Sequence, residues 1–199
     1  MPSSRFKEII ENVTGRLRNR SIPYAIIGAF ALGYYGFPRY TADIDLISER
    51  KFNKNISDVM TQLGYNCYQD TDSFAQFDSD QKDLWNVDFL FVQTDDGKSM
   101  IQNSVEVANE LTGKHPVIQP SDYIILKIMA IANNPDRTHR DAADIISLLR
   151  MNTKQMIPKP FNRIEKERVL QFAERFKQVQ LVKDVFKKAG EQESLNWKI

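Results

Sequence analysis

The segment between Tyr24 and Ser48 constrains the fold more strongly than any other part of the sequence. It begins with the apolar run YAIIG, which predicts a buried strand that ends in a turn at Gly28 and Ala29. The residues that follow, AFALGYYG, predict a short helix, and the alternating run RYTADIDLIS predicts a second strand over 39–48. A strand, a glycine turn, a short helix and another strand, in this order, indicate an α/β arrangement.

The rest of the sequence continues this mixture and then becomes helical. Alternating apolar runs predict four further strands, at 65–69, 73–78, 86–92 and near 115–119. Apolar residues at helical spacing predict helices over 5–19, 51–63, 99–111, 121–133, 138–150, 162–178 and 181–189. We therefore expect an α/β (α+β) domain with a small mixed sheet over residues 1–119. A C-terminal helical domain is expected over residues 120–199.

The composition excludes several classes of protein. With 42% hydrophobic and 27% charged residues, the chain is neither disordered nor fibrous, and a net charge of +1 gives no overall attraction to nucleic acid or membranes. The single cysteine, Cys67, excludes an internal disulfide and fits a reducing cytoplasm. The N-terminal residues lack the apolar core of a signal peptide, and the longest apolar run, YIILKIMAIA, is too short to span a bilayer. We expect a cytoplasmic protein with no membrane partner.

Charge is distributed unevenly along the chain. Residues 1–149 carry 15 basic and 20 acidic side chains, whereas residues 150–199 carry 12 basic and 6 acidic ones. This basic C-terminal segment is compatible with a polyanionic partner such as RNA. The alternative is that these charges solvate the outer faces of amphipathic helices.

Acidic side chains in two of the predicted strands form the candidate site. Asp43 and Asp45 are two residues apart in a strand, so their carboxylates point to the same face, and Asp88 is the acid in the apolar strand NVDFLFV. Adjacent carboxylates repel each other, and a divalent cation with hard oxygen ligands, such as Mg²⁺ or Mn²⁺, would compensate their charge. If the strand begins at Arg39, Arg39 and Thr41 share the same face and add a cation and a hydroxyl.

Other interpretations of the sequence are weaker or stay open. The two aspartates could instead be solvated, or paired with Arg39, because Asp-x-Asp alone is a weak signal. His115 and His139 follow no metal-ligand spacing, and the sequence has no Gly-x-Ser-x-Gly motif. It also has no Walker A motif and no Gly-x-Gly-x-x-Gly motif.

The run IIGAFALGYYGFPRYTADIDLIS resembles the signature of the DNA polymerase β-like nucleotidyltransferase superfamily. More closely, it resembles the branch of abortive-infection, toxin-like nucleotidyltransferases. The resemblance implies that Asp43, Asp45 and Asp88 are catalytic and hold Mg²⁺, and that the backbone at Gly28 and Ala29 holds the nucleotide phosphates. Many active members have Ser where this chain has Ala29.

A second part of the resemblance lies in the helical region. Members of this branch carry a Lys in one helix and an [Arg/Lys]-Asp-x-x-Asp string in the next, which Lys127 and the run from Arg140 to Asp144 match. The resemblance implies nucleotide-binding roles for Lys127 and Asp144 beside Arg39 and Thr41. Lys127 could instead extend to the surface, and Lys127 and Asp144 could pair with each other as a structural clamp.

The implied activity is Mg²⁺-dependent transfer of a nucleoside monophosphate from an NTP to an acceptor hydroxyl. The resemblance points to an RNA end, tRNA above all, or to a protein hydroxyl, while a small-molecule hydroxyl such as that of an antibiotic also stays open. A toxin role would imply a cognate antitoxin partner. The alternative is a non-catalytic module that binds nucleotide or a partner protein on the same fold, which Ala29 keeps open.

Overall fold

The computed structural model of this chain describes residues 2–81, 84–109 and 113–190. They form two compact units: residues 2–34 with the described residues of 38–118, and residues 35–37 with 119–190. No helix among the described residues is long and apolar enough to cross a membrane.

The first unit contains all seven strands of the described part of the chain. In chain order its elements are α1 (Pro2–Asn19), β1 (Tyr24–Ile26), α2 (Gly28–Tyr34), β2 (Asp43–Glu49), α3 (Asn53–Gln62), β3 (Asn66–Asp70), β4 (Phe74–Asp78), β5 (Asn86–Val92), α4 (Asp95–Gln102), β6 (Val105–Asn109) and β7 (Gly113–Val117). The strands form one sheet in the order β3-β4-β5-β2-β1-β7-β6. The β2–β5 and β1–β7 pairs are parallel and the other pairs are antiparallel, which confirms the predicted mixed sheet.

The two faces of the central strands differ in chemistry. Along β4 and β5 every second side chain is buried, and the buried set is apolar: Ala75, Phe77, Val87, Phe89 and Phe91. The rings of Phe77 and Phe89 meet edge to face with their centroids 5.9 Å apart. The alternate positions carry the polar residues of these strands, Gln76, Asp78, Asn86 and Asp88, together with Phe74, Leu90 and Val92. The strand period of two therefore separates an apolar core face from the face that carries the acids, here called the polar face.

Three predicted elements differ from the observed ones. The helix predicted over 162–178 is shorter, from Lys166 to Arg175. The strand predicted over 39–48 begins only at Asp43, so the prediction that Arg39 and Thr41 extend the strand face is wrong. The helix predicted over 99–111 ends at Gln102, and β6 follows. Residues 105–109, VEVAN, alternate in polarity and pair with β7, and this pairing satisfies their backbone groups in place of helical hydrogen bonds.

The second unit is helical in its described part. Its helices are α5 (Pro120–Asn133), α6 (Thr138–Thr153), α7 (Lys166–Arg175) and α8 (Val179–Lys188). Helix α5 is apolar almost all round and buries residues on every face, and it packs against α6 and α7. Tyr35 lies within this unit and meets the rings of Tyr123 and Phe161 edge to face, with centroids 5.8 and 4.8 Å away.

Candidate active site

The polar face of the sheet brings two of the predicted acids side by side. Strands β2 and β5 pair in a register that places Asp45 opposite Asp88, and paired residues of neighbouring strands lie about 5 Å apart on the same face. Asp43 precedes Asp45 by two residues in β2 and therefore lies on that face too, opposite Asn86. The structure thus brings Asp43, Asp45 and Asp88 together on one face of two central strands.

The glycine turn lies directly against Asp45. Gly28 adopts a φ of +64°, a left-handed conformation that residues with a side chain rarely adopt. A Cβ atom added at Gly28 would lie 2.8 Å from Cβ and 2.6 Å from Cγ of Asp45, and closest of all to its Oδ2. The amide of Ile27 also donates to the carbonyl of Asp45 at 3.1 Å. The turn between β1 and α2 is therefore shaped to accommodate the Asp45 carboxylate.

Asp88 is the acid with the most distinctive surroundings. It is half-buried, and its Oδ2 accepts a 2.7 Å hydrogen bond from Nε2 of Gln76 on β4. Its Oδ1 is buried and accepts no hydrogen bond from the described residues. Burial raises the pKa of Asp88, the Gln76 hydrogen bond opposes this rise, and the negative charge of Asp43 adds to it.

Two residues missed by the sequence analysis, Gln76 and Tyr68, belong to these surroundings. Gln76 faces Asp88 across the β4–β5 pair. Tyr68 lies in the edge strand β3 at a register shift between Cys67 and Gln69, and it is 52% exposed. Burial, followed by the charges of Asp88 and other aspartates, raises its pKa. Glutamine in an alternating strand gives no functional signal, and a β-bulge cannot be recognised from one sequence.

The loop before β2 holds the other two predicted residues. Oγ1 of Thr41 accepts a hydrogen bond from the amide of Asp43 at 3.3 Å, so Thr41 caps the start of the strand. Arg39 donates through Nη1 to the carbonyl of Tyr40 at 3.3 Å. The nucleotide-binding roles of Arg39 and Thr41 stay predictions.

Lys127 and Asp144 lie in the second unit, in a buried ionic cluster. Nζ of Lys127 is 2.7 Å from Oδ1 of Asp141 and 3.1 Å from Oδ2 of Asp144. Tyr123 donates its hydroxyl to Asp144 at 3.1 Å, and Nε of Arg137 donates to Asp141 at 2.8 Å. Burial would raise the pKa of Asp141, but hydrogen bonds from Arg137 and Lys127 outweigh it and lower that pKa. The predicted pairing of Lys127 with Asp144 is present, with Asp141 as a third member.

The acidic face suits Mg²⁺ in the chemistry of its donors. Among the described residues, no three His, Cys, Asp or Glu side chains are placed to hold one metal ion together. Proteins commonly hold Mg²⁺ with one or two carboxylates and complete its shell with water and substrate phosphates. The neighbouring carboxylates of Asp43 and Asp45, on the same face of β2, fit that incomplete donor set.

The mixed sheet, with acids of β2 and β5 on one face beside a glycine turn, is the arrangement of a nucleotidyltransferase fold. Three solved structures have a similar fold. The crystal structure of ANT(2'')-Ia in complex with adenylyl-2''-tobramycin gives a TM-score of 0.60 at 15% identity, over 85% of this chain and 95% of that one. The solution structure of ANT(2'')-Ia gives a TM-score of 0.53 at 14% identity, over 94% of each chain. A nucleotidyltransferase structure from Thermotoga maritima gives a TM-score of 0.50 at 14% identity, over 67% of this chain and 89% of that one.

The sequence also matches a family model. The model of the aminoglycoside-2''-adenylyltransferases matches residues 9–124, more than half of the chain, and the chain belongs to this family. A search of curated proteins gave no match. The predicted nucleotidyltransferase superfamily and the predicted enzyme are thereby confirmed, and the toxin-like branch stays a prediction.

Proposed function

We propose that this enzyme transfers a nucleoside monophosphate, in the first instance AMP from ATP, to a hydroxyl group of a small organic acceptor. The observation that carries the proposal is the juxtaposition of Asp45, Asp88 and the Gly28 turn in a chain of this family. The choice of ATP and of a small acceptor rests on the family, whose model is named for adenylyl transfer to aminoglycosides.

The chemistry requires a base to remove a proton and a site that tolerates the charge of the triphosphate. The acceptor oxygen forms a bond to the α-phosphorus, and the bond from that phosphorus to the oxygen bridging to the β-phosphate breaks. The electron pair of the broken bond leaves with pyrophosphate, and the acceptor's proton passes to Asp88. The raised pKa of Asp88 suits this role, because a stronger base accepts the proton more readily.

Asp43 and Asp45 are the proposed magnesium ligands, and the metal-binding role of Asp88 stays a prediction of the sequence resemblance. Bound Mg²⁺, or Mn²⁺, neutralises charge on the phosphates and lowers the pKa of a bound hydroxyl. Gly28 leaves space for the Asp45 carboxylate, and the proposed contacts to the phosphates are the backbone amides at Gly28 and Ala29. An amide donates a hydrogen bond whatever its side chain, so Ala29 in place of Ser is compatible with transfer.

An RNA end is the second candidate acceptor. Residues 150–190 carry 11 basic and 4 acidic side chains, a balance that favours contact with a phosphate backbone. A protein acceptor, a toxin role and an antitoxin partner remain predictions of the sequence resemblance alone.

The proposal is tested by incubating the protein with Mg²⁺ and each α-labelled NTP in turn. Separate reactions contain an aminoglycoside mixture, total RNA or a cell protein extract. We expect label from ATP on the small molecules and none with Asp45→Asn or Asp88→Asn. The matched control is Asp70→Asn, because Asp70 lies in the same sheet but in the edge strand, in an ion pair with Arg50. Transfer by Asp45→Asn at the wild-type rate would refute the assignment, and label on RNA alone would select the second candidate.

A further inference from the structure

The strand next to Asp88 supplies a side chain that acts directly on this carboxylate. Strand β4 pairs with β5 so that Gln76 is opposite Asp88, and Nε2 of Gln76 donates to Oδ2 of Asp88 at 2.7 Å. The amide oxygen at the same distance would repel the carboxylate, so the NH₂ group is the one that faces Asp88. Gln76 is half-buried, and its position in the middle of β4 limits its movement.

The hydrogen bond leaves the two oxygens of Asp88 in different states. Oδ2 is occupied by Gln76, whereas Oδ1 is buried and has no partner among the described residues. The terminal torsion of an aspartate is broad, so an unrestrained carboxylate would sample many orientations. One directed hydrogen bond between neighbouring strands restricts that torsion and keeps the carboxylate in a single orientation.

We propose that Gln76 is a positioning residue for nucleotidyl transfer, holding the Asp88 carboxylate in the orientation from which it takes the proton of the acceptor hydroxyl. The inference rests on the proposed role of Asp88 as the base. A neutral donor is suited to this task, because it orients the carboxylate without adding a positive charge that would neutralise it, as Lys or Arg would.

The test compares Gln76→Leu, which keeps the approximate size but removes the donor, with wild type. We expect kcat to fall roughly 10- to 100-fold, the usual loss when the partner that orients a functional side chain is removed. The KM for the nucleotide should stay unchanged, because proton removal belongs to the transition state rather than to binding. Gln76→Asn, which keeps a donor at shorter reach, should recover part of the lost kcat.

The matched control is Gln69→Leu. Gln69 is opposite Gln76 on the edge strand β3, so this variant makes the same chemical change in the same sheet, one strand further from Asp88. We expect wild-type kcat from Gln69→Leu. Thermal unfolding of every variant separates loss of folding from loss of chemistry, and Gln76→Met offers a flexible apolar replacement if Gln76→Leu does not fold.

The outcomes distinguish this inference from the function on which it rests. Wild-type activity of Asp88→Asn would overturn the proposed role of Asp88 itself. A strongly impaired Asp88→Asn together with a folded Gln76→Leu of wild-type kcat would overturn only the positioning role. Equal losses in Gln76→Leu and Gln69→Leu would also overturn it, because the effect would then belong to the β3–β4 hairpin as a whole.

Discussion

Replacing Gly28 by Ala is the sharpest test of how the glycine turn supports the acidic face. The added Cβ would lie 2.8 Å from Cβ and 2.6 Å from Cγ of Asp45, whereas ordinary contacts begin near 3.4 Å. Rotation of the Asp45 side chain can withdraw Cγ, but Cβ is fixed to the backbone of β2. Either the strand or the turn must therefore move by about 0.6 Å, the distance that separates 2.8 Å from 3.4 Å.

The structural cost has two parts. Placing a residue with a side chain in the left-handed conformation destabilises the folded state by about 1–2 kcal/mol. Forced overpacking typically destabilises it by another ~1–3 kcal/mol. The free energy of unfolding should therefore fall by roughly 2–5 kcal/mol. Because misplacement of a reacting group by about 1 Å can reduce the rate on the order of 100-fold, kcat should fall by one to two orders of magnitude.

The assay measures pyrophosphate release and urea unfolding for Gly28→Ala beside Gly33→Ala. Gly33 lies in the same helix, α2, and a Cβ atom there would meet nothing within 4 Å. We expect Gly33→Ala to keep its activity. Its free energy of unfolding should rise by roughly 0.5–1 kcal/mol, because alanine is the better helix former. If Gly28→Ala matched wild type in both rate and stability, the proposed link between the turn and Asp45 would be refuted.

Three further predictions concern the ionic cluster, a second buried ion pair and the metal. Asp141→Asn should lower the free energy of unfolding at pH 7 by roughly 3 kcal/mol, because Lys127 loses its nearer carboxylate and keeps only Asp144. The pKa of Asp141 lies below its ordinary 3.8, so its stabilisation is complete above that pH and is lost as the pH falls through the folded-state value. In urea unfolding measured from pH 7 to pH 2, the free energies of unfolding of wild type and Asp141→Asn should converge in acid. A difference that stays constant with pH would contradict this. Arg168→Met removes the cation beside buried Asp122, and burial already raises the pKa of this carboxyl. Because an unpaired Asp122 is charged at pH 8 but more readily protonated at pH 4, the variant should lose more stability relative to wild type at pH 8 than at pH 4 in thermal unfolding. Chelation with EDTA should stop pyrophosphate release, and excess Mg²⁺ or Mn²⁺ should restore it, whereas persistent activity after chelation would refute metal dependence.

Much of the candidate site could be predicted from local patterns in the sequence. The period of two in a strand was enough to place Asp43 and Asp45 on the same face, and the apolar neighbours of Asp88 marked it as an acid with an unusual environment. Only strand pairing could show that Asp88 is opposite Asp45, because β2 and β5 are separated by more than thirty residues in sequence. Pairing between distant strands depends on the whole sheet, and no local pattern encodes it.

The limits of prediction are clearest where local patterns compete. The run from 99 to 111 contains helix-forming residues, yet 105–109 forms an edge strand because β7 offers its backbone a partner. Thr41 precedes the strand instead of extending it, because its hydroxyl accepts a hydrogen bond from the amide of Asp43 and caps the start of the strand. In both places a tertiary or capping hydrogen bond outweighs residue preference.

The sequence by itself determined the class of fold, the glycine turn and the three acids, because helical and strand periodicity are local properties of the chain. The tertiary structure decided how these parts act on one another. It set the Asp45 carboxylate against Gly28, gave Asp88 its hydrogen bond from Gln76, and enclosed Lys127 between two aspartates. Each of these contacts joins residues from different elements, so its geometry exists only once the elements have packed and their backbone registers are fixed.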